Sequence, residues 1–258
     1  MFLESNAMCC RIVIENSDVV RRRIFLESNA MCCRIVIEKV KFCMKNTTIV
    51  LLAACVALVA GCGLPGIRGN GHIKTDERPT GAFANIDAGG VFDIQWQNGS
   101  PALRITTDDN LLPYIENNVS GNTLVLRIRE HVWPTHGVKV FVSSPTRSGA
   151  KIRGAVKLTA NKLSGPTFAL ESKGASEVSL DGQIDRLLVD MTGASQLAAD
   201  GLQTKTAEIS TTGAGDAEVR VSETLKVVIT GAGKVTYSGN PATIQKNVTG
   251  AGSIRRKD

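Results

Sequence analysis

Downstream of Cys62 the chain has no cysteine. All seven, Cys9, Cys10, Cys32, Cys33, Cys43, Cys55 and Cys62, fall in the first 62 positions. A disulfide framework and a thiolate metal site are therefore excluded from the rest of the chain. Without disulfides, that part must be held by its apolar core, and about 190 residues suffice for one. Aromatic residues make up only 4% of the 258 residues while glycines number 25, a balance that favours many short strands and turns over helices. No run reaches the roughly 18–20 apolar residues that a helix needs to cross a bilayer. Strong charge is missing too. Residues 1–62 hold 8 of the 30 basic and 5 of the 24 acidic residues, which lowers the net charge from +6 for the whole chain to about +3 for the remainder. That balance gives no reason to expect nucleic acid as a partner, and the one arginine run, Arg21-Arg22-Arg23, lies upstream.

What is present begins with Met44-Lys45-Asn46, a short positive region, followed by an apolar stretch from Thr47 to Ala60. Its length is that of a signal-peptide core and too short for a membrane span. It ends in Leu58-Val59-Ala60-Gly61-Cys62, which resembles the lipobox of bacterial lipoproteins. The resemblance implies cleavage between Gly61 and Cys62, lipid on the Cys62 sulfur and acylation of the new N-terminus. Several acyl chains anchor stably where one is marginal. Because Gly63 is not aspartate, the resemblance also implies retention at the outer membrane. The expected organisation is an N-terminal extension at 1–43, a signal peptide at 44–61, a lipidated tether at 62–72 and one domain at 73–258. The extension is unusual. Phe2–Glu15 and Phe25–Glu38 are the same 14 letters, FLESNAMCCRIVIE. Structural repeats drift in sequence, whereas identity at every position points to duplicated DNA, so Met44 is expected to be the true initiator. A peptide from before Met44 in the unprocessed precursor would contradict this.

A different repeat organises the remainder. Gly-Ala steps recur at Gly154, Gly174, Gly193, Gly213, Gly231 and Gly250, with spacings of 20, 19, 20, 18 and 19 residues. Around each step the apolar letters alternate with period two. Six, four and two residues before the glycine stand sets such as Leu187/Val189/Met191 and Leu225/Val227/Ile229, and four and six after it pairs such as Val178/Leu180 and Val235/Tyr237. The intervening letters are mostly polar, the signature of a strand with one buried face. Each unit of about 19 residues reads as strand, glycine corner, strand and turn, with turns at Asp181-Gly182, Asp200-Gly201 and Ser238–Pro241. One unit cannot enclose a core, but a stack of them can. The expected fold is all-β: a β-solenoid resembling a right-handed β-helix, with residues 70–150 as a less regular cap and first coils. An antiparallel meander of the same strands is the alternative.

Several segments then resemble one known family. Gly69-Asn70-Gly71, Phe83…Ile86…Gly90-Val91-Phe92-Asp93-Ile94, Asp108-Asp109-Asn110-Leu111-Leu112, Gly121-Asn122-Thr123-Leu124 and the Thr-Gly-Ala-Gly corners are similar to the bacterial "putative auto-transporter adhesin, head GIN domain" family. In relatives the corner usually reads Ser-Gly-Ser-Gly. The resemblance covers about residues 70–258 and implies a β-helical solenoid on an envelope lipoprotein, with no catalytic residues to carry over.

Individual residues add little chemistry. His131 and His136, on either side of Trp133-Pro134, read as a solvent-facing loop. Asp181 and Asp200 fall at one phase of adjacent repeats, where a solenoid would stack them, but Asp-Gly turns account for both. Trp96 and Trp133 read as core or cap packing, and Thr212, Thr230 and Thr249 as a polar ladder at the corner. No catalytic set, metal site or cofactor is expected. The expected function is a non-enzymatic binding, adhesion or structural module, held at the membrane by lipid on Cys62 and facing an envelope protein or glycan. The alternative is a carbohydrate-active enzyme on a β-helix scaffold.

Overall fold

A computed structural model describes residues 66–257, together with two short strands near the N-terminus, β1 (Val13–Ile14) and β2 (Ile24–Phe25). The expected signal peptide at 44–61 and Cys62 lie outside the described residues, as does nearly all of the expected extension at 1–43. The chain divides into two compact units, Met1–Gly63 and Leu64–Asp258. In the first, β1 and β2 pair antiparallel. The second contains β3 (Ile67–Arg68), β4 (Ile73–Arg78), β5 (Asn85–Asn98), β6 (Ala102–Asp108), a single 3-10 turn (Leu112–Tyr114), β7 (Ile115–Ser120), β8 (Thr123–Ile128), β9 (Val132–Trp133) and β10 (Lys139–Ser144). The long strands β11 (Gly149–Gly174), β12 (Glu177–Gly193), β13 (Gln196–Gly213) and β14 (Asp216–Gly231) follow, and then β15 (Lys234–Ser238), β16 (Thr243–Gly250) and β17 (Ser253–Arg256).

The fold is a β-solenoid. Each long strand pairs in parallel with the next, β5 to β11, β11 to β12, β12 to β13 and β13 to β14, and β14 then pairs with β15 and β16. Every corner glycine lies beside the equivalent glycine of the coil before it, as in Gly174 with Gly193 and Gly213 with Gly231. Parallel pairing across whole coils rules out the antiparallel meander. The alternation read from the sequence is the inward face. Leu187, Val189, Met191, Leu225, Val227, Ile229, Val178, Leu180 and Val235 are all buried. Each fully buried aliphatic side chain contributes about 1.5–3 kcal/mol, so the stacked columns are the main source of stability.

The turns at Asp181-Gly182 and Asp200-Gly201 are corrected by the structure. β12 and β13 run through them without a break, and the ladder instead shifts register there, between Ser179 and Gly182 and between Ala199 and Gln203. These are irregularities of the β-bulge kind, with one extra residue on β13 at the first and three at the second, and they bend the strand without ending it. Ser238–Pro241 does break the ladder, because Pro241 has no N–H to donate.

The N-terminal part departs from the repeat. Between β5 and β11 the chain leaves the solenoid for residues 99–148 and then returns in register, Gly154 beside Gly90. The excursion covers the first coil. β8 pairs with the first half of β5 and β10 with its second half, and beyond them the sheet turns antiparallel, through β7 on one side and β6 and β4 on the other. Trp96 is fully buried beneath this cap, its ring centroid 6.3 Å from Phe83 and 6.2 Å from Phe168, and its Nε1 donates to Ser144 Oγ at 2.9 Å. Arg147, at the point of return, is buried and donates to the carbonyls of Trp96, Asn161 and Lys162. Residues 66–72, read from sequence as tether, are bound into this cap. Ile67 N–H donates to the His131 carbonyl at 2.8 Å, and Gly71 N–H donates to Asp108 Oδ1 at 2.8 Å.

Candidate functional site

The corner is built from glycine because nothing else fits. All six glycines found by spacing, Gly154, Gly174, Gly193, Gly213, Gly231 and Gly250, have φ between +98° and +122°. A Cβ on any of them would lie 2.5–2.7 Å from the carbonyl oxygen of the preceding corner glycine. That same oxygen accepts a hydrogen bond from the alanine that follows the next glycine, as from Ala194 N–H to Gly174 at 2.9 Å and from Ala232 N–H to Gly213 at 2.8 Å. Both requirements, positive φ and close backbone approach, are met only without a side chain. Gly90, φ +135°, is the first member of the same ladder. Spacing could not find it, because 64 residues separate it from Gly154.

The sheet before the corner presents an outward face on which side chains form columns across the coils. Three residues before each glycine the column runs Asp87, Lys151, Glu171, Asp190, Ser210, Val228. Five before, it runs Asn85, Gly149, Ala169, Leu188, Glu208, Lys226. The small residues Gly149 and Ala169 leave a depression, and an open trough of about 660 Å³ follows these columns over six successive coils. Its floor is part apolar, at Ala169 and Leu188, and its walls carry carboxylates and amines.

Those charges pair, within a strand and across neighbouring ones. Lys151 Nζ lies 2.7 Å and Lys173 Nζ 3.0 Å from the Glu171 carboxylate, Arg186 lies 2.6 Å from Glu208, and Asp87 is held by Arg127 at 2.9 Å and Arg153 at 3.0 Å. The hydrogen bonds from Lys151 and Lys173 hold the Glu171 carboxyl below the usual carboxylate range. A general acid needs the reverse, a carboxyl pushed up towards neutrality. Chemically, the trough offers a row of fixed charges and hydrogen-bonding groups to an extended partner.

The residues singled out from sequence separate as follows. Asp181 and Asp200 form no carboxylate ladder. Asp181 lies against Gly201, while Asp200 lies 3.6 Å from Lys257, which also pairs with Glu218 at 3.0 Å. Thr212, Thr230 and Thr249 stack in register with Thr192 on the outer face, but no hydroxyl-to-hydroxyl hydrogen bond joins them among the described residues. Trp96 is core, whereas Trp133 is 47% exposed, with its ring in edge contact with His131 at 4.7 Å. His136 Nδ1 sits 3.0 Å from Thr135 Oγ1. Among the described residues no three metal-ligating side chains converge.

Asp108 stood in the sequence only as part of a family-like segment, with no role of its own. Asp108 is fully buried and accepts hydrogen bonds from Gly71 N–H, Thr135 N–H and the Thr135 hydroxyl. Burial pushes its carboxyl up, but the Thr135 and Gly71 hydrogen bonds outweigh burial and leave it below the usual range. It is a structural clamp that ties the start of the domain to the cap.

Stacked glycine corners, in-register parallel coils and a capped first coil define a β-solenoid repeat protein. The chain belongs to the family described as "Putative auto-transporter adhesin, head GIN domain", whose model matches residues 82–241. Solved structures of the same fold include a putative adhesin from Bacteroides fragilis, 24% identical, with a TM-score of 0.63, covering 74% of this chain and 100% of its own. A putative lipid binding protein from Parabacteroides distasonis is 20% identical, with a TM-score of 0.45, covering 75% of this chain and 100% of its own. No curated protein matches the sequence.

Proposed function

We propose that this protein is a lipid-anchored module of the bacterial cell envelope that binds another surface, a protein or a glycan, through the outer face of its solenoid and without catalysis. The observation that carries this reading is the trough. It is a long, shallow, charged surface on a rigid repeat scaffold, shaped for an extended partner rather than a small enclosed substrate. Family membership agrees with a surface role. The lipobox ending at Cys62 supports attachment to the membrane, on the outer-membrane side of the sorting rule, by lipid on that sulfur.

A carbohydrate-active enzyme on the same scaffold would use carboxylates of this face. Against it, Glu171 is charged and bridged by two lysines, and Asp87 and Glu208 are each bound by arginine. Capture from envelope extracts by the immobilised mature domain tests the proposal. Enrichment of a defined protein or glycan, lost in a Glu171→Lys/Glu208→Lys variant of unchanged fold, is the expected result. Enrichment of nothing over a control resin removes the main support, and shortening of a glycan chain on incubation favours the enzyme.

A further inference from the structure

Trp133 is one of only two tryptophans in the chain, and unlike Trp96 it is 47% exposed. Its position is fixed. β9 is held to β3 by Ile67 N–H to the His131 carbonyl at 2.8 Å and by Gly69 N–H to the Trp133 carbonyl at 2.9 Å. The Nε1 and Cδ1 edge of the indole lies so close to Gly66 that a Cβ there would sit 2.6 Å from Nε1. Gly66 thus seats the ring, and the seat stands at the N-terminal margin of the domain. Four residues upstream is Cys62, and covalent geometry alone limits that span to at most about 14 Å.

We infer that Trp133 is a second, non-covalent membrane contact, which inserts its indole at the lipid headgroup level and orients the solenoid on the bilayer. The inference rests on the lipid anchor proposed above. An acylated Cys62 holds Trp133 within reach of the interface, and an indole, apolar in body with one N–H donor, partitions to that layer. Charge is not the attraction. Arg68, paired in register with Trp133, and Glu130 are both exposed and of opposite sign. Binding through the indole is therefore expected on zwitterionic lipid and to be insensitive to salt. A lipid anchor alone sets no orientation of the solenoid, whereas an anchor with a fixed aromatic contact presents one face of the coil stack outward.

The test uses the full-length precursor, processed in a lipoprotein-competent bacterium, purified in detergent and reconstituted into phosphatidylcholine vesicles with or without brominated acyl chains. Intact mass reports acylation, and emission reports the tryptophans. In the wild type, brominated lipid is expected to quench the Trp133 share of the emission and leave a residue that matches Trp133→Phe, whose Trp96 is buried and unquenched. An acylated protein whose emission is the same in both lipids overturns this inference and leaves the anchor standing. A mature protein without acyl mass overturns both.

Discussion

At the scale of single residues the corner glycines carry the tightest constraint. Gly213 has φ +116°, and a Cβ there would meet the Gly193 carbonyl oxygen at 2.7 Å. That oxygen is backbone and hydrogen-bonded to Ala214 N–H at 3.0 Å, so it cannot give way without opening the ladder. Gly213→Ala is expected to cost more than about 2 kcal/mol, from positive φ and backbone collision together. The exposed neighbour Ala214→Ser should stay within about 0.5 kcal/mol. Urea midpoints of the two variants check this. Asp108 gives a pH dependence. Its folded carboxyl titrates below the usual range, so its contribution is present above about pH 4 and is lost as pH falls through the folded value. Asp108→Asn should be less stable than wild type at neutral pH, and the gap should close on acidification, as read by denaturant titrations from pH 7 down to 2. The glycine column was legible in the sequence because a backbone requirement repeats with the coil. Asp108 was not, because its partners Gly71 and Thr135 are remote in sequence and follow no period.

At the scale of elements the two corners of each coil behave differently. The glycine corner is invariant in register, whereas the opposite corner absorbs the variation in repeat length. From β13 to β14 the pairing offset changes from 20 at Ala199↔Val219 to 17 at Gln203↔Arg220, then returns to 18 at Thr206↔Thr224. A 20-residue coil and an 18-residue coil can therefore stack with their inward columns aligned. One residue inserted between Asp200 and Gly201 should shift the urea midpoint little. The same insertion between Ala214 and Gly215 should destabilise strongly, because it displaces Asp216 N–H from the Ser195 carbonyl, to which it donates at 2.9 Å, and moves Ala217 and Val219 off the inward face. Equal destabilisation by both insertions would contradict this division of roles. The alternation of apolar letters identified the strands from sequence. The bulges did not show, since Asp-Gly is equally good turn chemistry and only pairing with the neighbouring coil keeps the strand continuous. The trough was hidden for a similar reason: its depression comes from Gly149 and Ala169 being adjacent in space, 20 residues apart in sequence.

At the scale of the whole molecule the two ends of the stack are not alike. The first coil is covered by β8 and β10, while among the described residues no strand pairs with the outer edges of β16 and β17. Ile244 and Val248 are 39% and 40% exposed there. Between them stands Lys246, in the inward column where Leu170, Val189, Ile209 and Val227 are buried in earlier coils, with its ammonium 5.5 Å from the Tyr237 ring centre. An inward charge on an edge strand discourages further pairing, because an added coil would bury it unpaired. Lys246→Leu is expected to raise self-association in sedimentation experiments, while the wild-type domain stays monomeric under the same conditions. The chain ends in a further charged run, Arg255-Arg256-Lys257. The structure shows Lys257 turned back onto Glu218 and Asp200, which leaves Lys246 as the charge on the inward column.

The glycine ladder, the trough and the guarded end all follow from one arrangement, parallel coils stacked in register. Since no cysteine follows Cys62, an introduced pair reports that arrangement directly. Thr212 and Thr230 are exposed neighbours in adjacent coils, and parallel strands about 4.8 Å apart bring their Cα atoms within disulfide range. In the domain starting at Gly63, mild oxidation of Thr212→Cys/Thr230→Cys should form an intramolecular disulfide with an unchanged circular dichroism spectrum. Thr212→Cys/Lys226→Cys, displaced by four residues along the strand, should form none. Cross-linking of the displaced pair in place of the registered one would contradict the stack.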